Sequence, residues 1–189
     1  MKQDLIEADS KSISYPLDEF YARTGLSLPP LDQVDGEAVP EPYKSLLVHE
    51  RDMTSTLENF HKTGIHLRLV SRQQRGDEYF REVVLVLDDS ETPVEFGAIK
   101  IHLDRFPTKA REEILREQFP LGHILKDCAI AYVSQPKAFL RIASDKTINS
   151  LLNLTGAHLL YGRRNTLLDP AGNALAEIVE ILPPNPRPA

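Results

Sequence analysis

Three strand-like runs in the middle of the chain, separated from one another by turn signals, constrain the fold more than any other feature. The runs begin at His66, Tyr79 and Val94 and are rich in leucine, β-branched and aromatic residues. The segments QQRGDE and DDSETP lie between them and contain the residues that favour turns. Consecutive strands joined by short turns pair antiparallel, so the sequence predicts a three-stranded meander.

Helical and further strand patterns flank this meander. Apolar spacing and capping signals predict helices over 17–24, 43–64, 109–119 and 146–156, the last with Asp145 as its N-cap. Another strand is predicted over 137–143, and a closing hairpin over 158–168 and 173–182 around the turn residues DPAG. Strands paired mainly antiparallel with helices beside them give the class α+β.

Composition limits the function. The 189 residues favour one domain, and a net charge of -6 argues against a general nucleic-acid binder. No apolar run is long enough for a membrane span, and the polar start MKQDLIEADSKS has no signal-peptide core, so we expect a cytoplasmic protein. We expect residues 1–14 and 184–189 to be flexible tails of this domain, since the end is rich in proline.

Metal and cofactor motifs are missing from the sequence. Cys128 is the only cysteine, and the six histidines form no HxxxH or HxH pair. There is no GxGxxG segment, phosphate-binding loop or GxSxG elbow. The sequence therefore predicts no metal and no bound cofactor.

Arg81 is the first candidate for chemistry. Strand alternation places it on the same face as Tyr79, Val83 and Leu85. An arginine on an apolar face is costly unless it has an anionic partner. It is either an edge residue whose head reaches solvent, or a guanidinium held in a pocket to grip a carboxylate.

The last strand offers a matching acid. Glu180 shares one face with Ala176 and Ile178, whereas Glu177 lies on the other face, and each face is otherwise apolar. A buried glutamate would handle a proton or a hydrogen bond, but either could instead pair with a neighbouring lysine or arginine. The turn PLGHIL, which starts at Pro120, either presents amides to an anion or only ends a helix.

Several blocks occur in an order that resembles the chorismate lyase (chorismate pyruvate-lyase) family, especially its actinobacterial-type 4-hydroxybenzoate synthases. They are LLVHERDMTSTLENF, YFREVVLV, VEFGAIKIHLD, PLGHIL and LLYGRR…AEIVEILP, between about residues 15 and 183. The resemblance implies a single domain with an antiparallel sheet of about six strands, helices covering a pocket, and no metal or organic cofactor. It also implies removal of pyruvate from chorismate to leave 4-hydroxybenzoate, or its 3-hydroxy isomer.

The resemblance also implies roles for individual residues. Arg81 matches the arginine that binds the ring carboxylate, and Glu180 matches the glutamate near the ring hydroxyl. The backbone at Met53 and at the turn formed by Leu121 and Gly122 would help to hold the carboxylate. The pair Arg163 and Arg164 matches a GRR motif, in which one arginine supports the second carboxylate or both are rim charges.

The chain departs from the family pattern at three positions. His123 stands where arginine commonly follows the turn, and Ala131 and Tyr132 stand near another commonly basic position. The leading hypothesis is a lyase that acts on a small anionic substrate. Because the chain has fewer cations than the family pattern for a substrate with two carboxylates, two alternatives stay open. One is a repurposed cyclase or isomerase of secondary metabolism; the other is a non-catalytic small-molecule binding module, like regulator effector domains. We expect no DNA-binding helix pair in the short N-terminal lead.

Overall fold

The computed structural model describes residues 11–184 and residue 186. The helices are α1 (Leu17–Thr24), α2 (Tyr43–Leu47), α3 (Met53–His61), α4 (Thr108–Arg116), α5 (Leu121–Asp127) and α6 (Lys146–Leu151). The strands are β1 (Leu31–Val34), β2 (Ile65–Arg75), β3 (Glu78–Leu87), β4 (Pro93–His102), β5 (Val133–Ala143), β6 (Leu159–Leu168) and β7 (Ala174–Leu182).

All seven strands form one antiparallel sheet in the order β1-β5-β6-β7-β4-β3-β2. The α+β class, the meander and the closing hairpin are therefore confirmed. The sheet has one strand more than the expected six, because Leu31–Val34 pairs with β5 at the sheet edge. This segment lies in the proline-rich lead, where a four-residue strand has no periodic signal of its own.

Helices cover both faces of the sheet. Apolar side chains of α2, α3, α4 and α5 pack on the face that carries Val83, Ile99 and Ile178, which we call the cavity face. Side chains of α1 and α6 pack on the opposite face, which carries Val84 and Val179 and which we call the rear face. Because both faces are covered, central strands such as β4 are buried almost throughout, and charged side chains on them lie inside the protein.

The single helix predicted over 43–64 is wrong, because the chain forms two helices separated by a loop. The Asp52 side chain accepts a hydrogen bond from the Ser55 amide at 2.8 Å and caps α3. Asp52, rather than Ser55, therefore starts this helix. The helix ends at His61, where Lys62 takes a left-handed backbone conformation at φ 56°.

Other predicted boundaries also shift. The strands β2 and β3 extend further into the predicted turn, which narrows to Gly76 and Asp77. Pro120 is not only a helix stop, because α5 begins directly after it. The predicted cap of α6 is confirmed, since Asp145 accepts a hydrogen bond from the Ile148 amide.

Most residues of the predicted tails lie outside the part of the chain that the structure describes. These are residues 1–10, 185 and 187–189. The tail prediction therefore stays a prediction. Within the described part, Ser14 is buried and Lys11 forms an ion pair with Glu177 on the rear face. No helix among the described residues is long and apolar enough to cross a membrane.

Candidate functional site

A cavity lies between the cavity face of the sheet and the first turns of α3 and α5. Its floor includes Val83, Ile99 and Ile178, and its roof includes Met53 and Leu121. Such a mainly apolar cavity with a few polar groups is typical of a small-molecule site.

Arg81 lies inside this cavity, on the cavity face of β3. Its side chain is fully buried, and its Nε and both terminal nitrogens have no hydrogen-bond partner within the described chain. Burial lowers the pKa of the guanidinium to about 10, and nearby Tyr79 and Glu117 oppose this shift. The group therefore stays charged near neutral pH, with all its donors unused.

The roof brings backbone amides to the same cavity. Met53 and Thr54 open α3, and Leu121 and Gly122 open α5, where the first amides of a helix have no intrahelical acceptor. A Cβ atom on Gly122 would lie 2.7 Å from Thr54 Oγ1 and 2.8 Å from Asp52 Oδ1. Glycine thus lets the two helix starts lie against each other above the cavity.

Glu180 also lines the cavity, where Arg163 holds its carboxylate. The two residues face each other on β7 and β6, and Arg163 Nε donates to Glu180 Oε2. The Arg163 terminal nitrogens donate to the backbone oxygens of His49 and Arg51 at 2.9 and 3.0 Å. Arg163 therefore neutralises Glu180 and fixes the loop between α2 and α3, and its own donors are occupied.

The structure does not bring every predicted site residue to the cavity. Arg164 lies on the rear face, because neighbouring residues on a strand point to opposite sides. Both Arg163 and Arg164 are buried, so neither is a rim charge. His123 pairs with Glu58 at 2.8 Å, across the contact of α5 with α3.

The other two departures from the family pattern, Ala131 and Tyr132, are not among the residues that line the cavity. Ala131 is exposed. Tyr132 packs against the core with its hydroxyl 3.5 Å from Asp52 Oδ2, and burial raises its pKa to about 12. The cavity therefore receives Arg81, Glu180, Met53, Leu121 and Gly122 from the predicted set.

Glu95 is a cavity residue that the sequence analysis missed. It lies on β4, is 3% exposed, and its Oε2 atom has no hydrogen-bond partner among the residues described. Burial and the nearby Glu180 carboxylate raise its pKa well above the ordinary value of 4.5. Alternation along VEFGAIKI places Glu95 on the face of Gly97 and Ile99, so the signal was present in the sequence.

Asn165, Asp52 and Thr54 are further lining residues that were not predicted. Asn165 donates to Ser134 Oγ at 3.0 Å on the cavity face. Asp52 and Thr54 lie at the start of α3, and Arg163 holds the loop that precedes this helix, a contact that no local pattern indicates.

Comparisons with known proteins bear on the fold. No protein-family model matches the sequence, and no curated protein matches it. The solved effector domain of PhnF from Mycobacterium smegmatis is similar, with a TM-score of 0.55 and 15% identity, over 73% of this chain and 91% of that chain. A structure of PhnF from the same organism gives a TM-score of 0.53 and 13% identity, over 93% and 96% of the two chains.

The possible transcriptional regulator YydK from Bacillus subtilis gives a TM-score of 0.50 and 9% identity, over 90% and 92% of the two chains. At these identities the likeness shows the fold alone. That fold is compatible with the chorismate lyase-like architecture that the sequence resemblance implies. The chain thus shares its fold with the effector domain of PhnF.

Proposed function

We propose that the chain binds a small organic carboxylate in this cavity, with Arg81 as the anchor. The observation that carries the proposal is the guanidinium of Arg81, which is fully buried yet has no acceptor among the described residues. Buried charged donors normally have partners, because an unpaired one costs several kcal/mol or more. A carboxylate entering the cavity would accept two parallel hydrogen bonds from this group.

The balance of charge in the cavity favours a ligand with one negative charge. Arg163 and Glu180 neutralise each other, and the raised pKa of Glu95 favours its uncharged form. Asp52 also lines the cavity and Glu117 lies near Arg81, but Asp52 accepts from the Ser55 amide and Glu117 pairs with Arg72. Arg81 is then a positive charge without a hydrogen-bonded acceptor among the described residues. A ligand with a single carboxylate would neutralise it, whereas a second carboxylate would have no free cation among the cavity residues that the structure describes.

The fold neighbours support binding as the primary role. The PhnF structure is described as an effector domain. This chain has the same fold, and its cavity holds an anchor for an anion, so the non-catalytic binding module becomes the favoured alternative. We infer the class of ligand from the chemistry of the cavity, because the fold alone does not specify a ligand.

Calorimetric titration with an acid and its uncharged amide tests this proposal. We expect 4-hydroxybenzoate to bind and 4-hydroxybenzamide to bind at least about tenfold more weakly, because the amide cannot pair with the guanidinium. Equal affinities for both compounds would contradict an anion site. The 4-hydroxy compounds are chosen because the resemblance implies a hydroxybenzoate.

Chorismate pyruvate-lyase activity is the second candidate. It is favoured by the presence of Glu180, Arg81 and the Leu121–Gly122 backbone in one cavity, as the resemblance implies. Arg81 would hold the ring carboxylate, Glu180 would hydrogen-bond the ring hydroxyl, and the covered cavity would exclude water. Incubation with chorismate, followed by assays for pyruvate and hydroxybenzoate, decides this point: binding of 4-hydroxybenzoate without pyruvate release would exclude the lyase.

A further inference from the structure

Glu117 is an acid that lies near Arg81 but does not pair with it. Its side chain is 11% exposed, and its carboxylate accepts from the Tyr79 hydroxyl and pairs with the guanidinium of Arg72. Burial lowers the pKa of Arg81, and Tyr79 and Glu117 oppose this shift, so the charge of Glu117 acts on Arg81. Even so, no side-chain nitrogen of Arg81 has a hydrogen-bond partner within the described chain. An acid that could neutralise the anchor is therefore directed elsewhere.

A bulge in β2 places Arg72 opposite Arg81. The pairing register shifts just before Ser71, so Val70 has no partner on β3 and Arg72 pairs with Arg81. Without this bulge, Ser71 would lie opposite Arg81. Residues directly opposite each other on antiparallel strands share a face of the sheet, with Cβ atoms about 5 Å apart, and like charges in this arrangement repel. The bulge thus brings a second cation to the cavity face, and Glu117 compensates it.

The two arginines differ in exposure. Arg81 is fully buried, whereas the Arg72 side chain is 60% exposed on β2, at the edge of the sheet. Glu117 follows the last turn of α4 and takes a left-handed backbone conformation at φ 59°, which favours glycine. A glutamate at such a position is held by its surroundings rather than by its own backbone preference. Glu117 therefore lies where the cavity face meets solvent, next to two guanidinium groups.

We propose that Arg72 is a positioning residue that keeps Arg81 free for the ligand by holding Glu117. Without Arg72, the Glu117 carboxylate turns to Arg81 and forms the buried pair that the ligand would otherwise form. The two carboxylates compete for the same donors, so the ligand must then displace Glu117. This inference rests on the proposed function, since it takes Arg81 as the anchor of an anion. The chain thus contains its own competitor for the site, together with the residue that restrains it.

A double-mutant cycle at Arg72 and Glu117 tests the inference, with 4-hydroxybenzoate as the probe in calorimetric titrations. We expect Arg72→Met to bind this acid at least about tenfold more weakly than the wild-type protein, because Glu117 then occupies Arg81. Glu117→Gln alone should change the affinity by less than about threefold, since Arg72 already holds this acid away. In the Arg72→Met background, Glu117→Gln should restore the affinity at least about tenfold, because an uncharged amide competes only weakly for a guanidinium.

Two further variants make the test specific. Arg72→Lys should keep most of the wild-type affinity, because a lysine still pairs with Glu117. Arg68→Met is the matched control, since it removes an exposed arginine from the rear face of the same strand, and it should bind as the wild type does. Arg72 is itself largely exposed, so we expect Arg72→Met to fold, and urea denaturation checks this.

The outcomes separate the two proposals. If Arg72→Met keeps the wild-type affinity, or if Glu117→Gln does not restore the affinity of Arg72→Met, the role of Arg72 is wrong and the anion site stands. If Glu117→Gln raises the affinity equally in both backgrounds, the two residues act only through their separate charges, and this role is likewise wrong. If the wild-type protein does not bind 4-hydroxybenzoate, the proposed function fails and this inference fails with it.

Discussion

A buried arginine and a half-buried glycine define the site at the scale of single residues. Arg81 has its charge inside the cavity without an acceptor among the described residues, and Gly122 lets the starts of α3 and α5 lie against each other in the roof. Alternation in the sequence correctly indicated which strand face carries Arg81. Whether that face is solvent or cavity depends on the covering helices, so its burial could not be predicted locally.

Replacing Gly122 with alanine should destabilise the roof. The new methyl group would lie within 2.8 Å of Thr54 and Asp52, so α5 must move away from α3. We expect the free energy of unfolding to fall by about 1 to 3 kcal/mol, measured by chemical denaturation.

Gly64→Ala is the control for this change. Its new methyl group would meet only the exposed Asp88 side chain, which can turn aside, so we expect a change within about 0.5 kcal/mol. Equal losses in the two variants would show that the contact of α5 with α3 is not the cause.

Strand pairing and helix caps explain the site at the scale of elements. Arg163 and Arg164 are adjacent on β6, so they must point to opposite faces, and alternation alone could have separated them. The partners of Arg163 could not be predicted, because its donors end on the loop before α3, far away in sequence. The start of α3 was misplaced because Ser55 and Glu58 imitate a capping pattern.

A prediction about the cap of α3 distinguishes Asp52 from Ser55 as the residue at which this helix starts. Asp52→Ala removes the side chain that accepts from the Ser55 amide, so the free energy of unfolding should fall by about 1 kcal/mol. Ser55→Ala should have little effect, because its hydroxyl does not cap the helix. Urea denaturation of both variants measures this difference. A larger loss of unfolding free energy in Ser55→Ala than in Asp52→Ala would contradict the cap at Asp52 and support the capping box of Ser55 and Glu58.

At the scale of the whole molecule, a sheet with two covered faces places charged residues inside the protein. The succession of strands and helices predicted the α+β class, but not β1, whose pairing with β5 is purely tertiary. Glu95 was missed although alternation places it on the cavity face. Its burial beside Glu180 links the stability of the whole fold to pH.

The variant Glu95→Gln should change the pH dependence of stability. The pKa of Glu95 is raised in the folded protein, so the folded state binds more protons than the unfolded state above pH 4.5. Wild-type stability should therefore fall relative to Glu95→Gln as pH rises from about 4.5 towards the folded pKa. Denaturation curves at several pH values measure this difference, and a constant difference would contradict the raised pKa.

The most direct test of the account replaces Arg81 with methionine and measures stability and binding together. An unpaired buried charge destabilises the fold, so Arg81→Met should raise the free energy of unfolding by about 1 to 3 kcal/mol. The same variant should lose at least about a hundredfold in affinity for 4-hydroxybenzoate, because the anchor of the carboxylate is gone. A variant that keeps its affinity for 4-hydroxybenzoate would contradict the account.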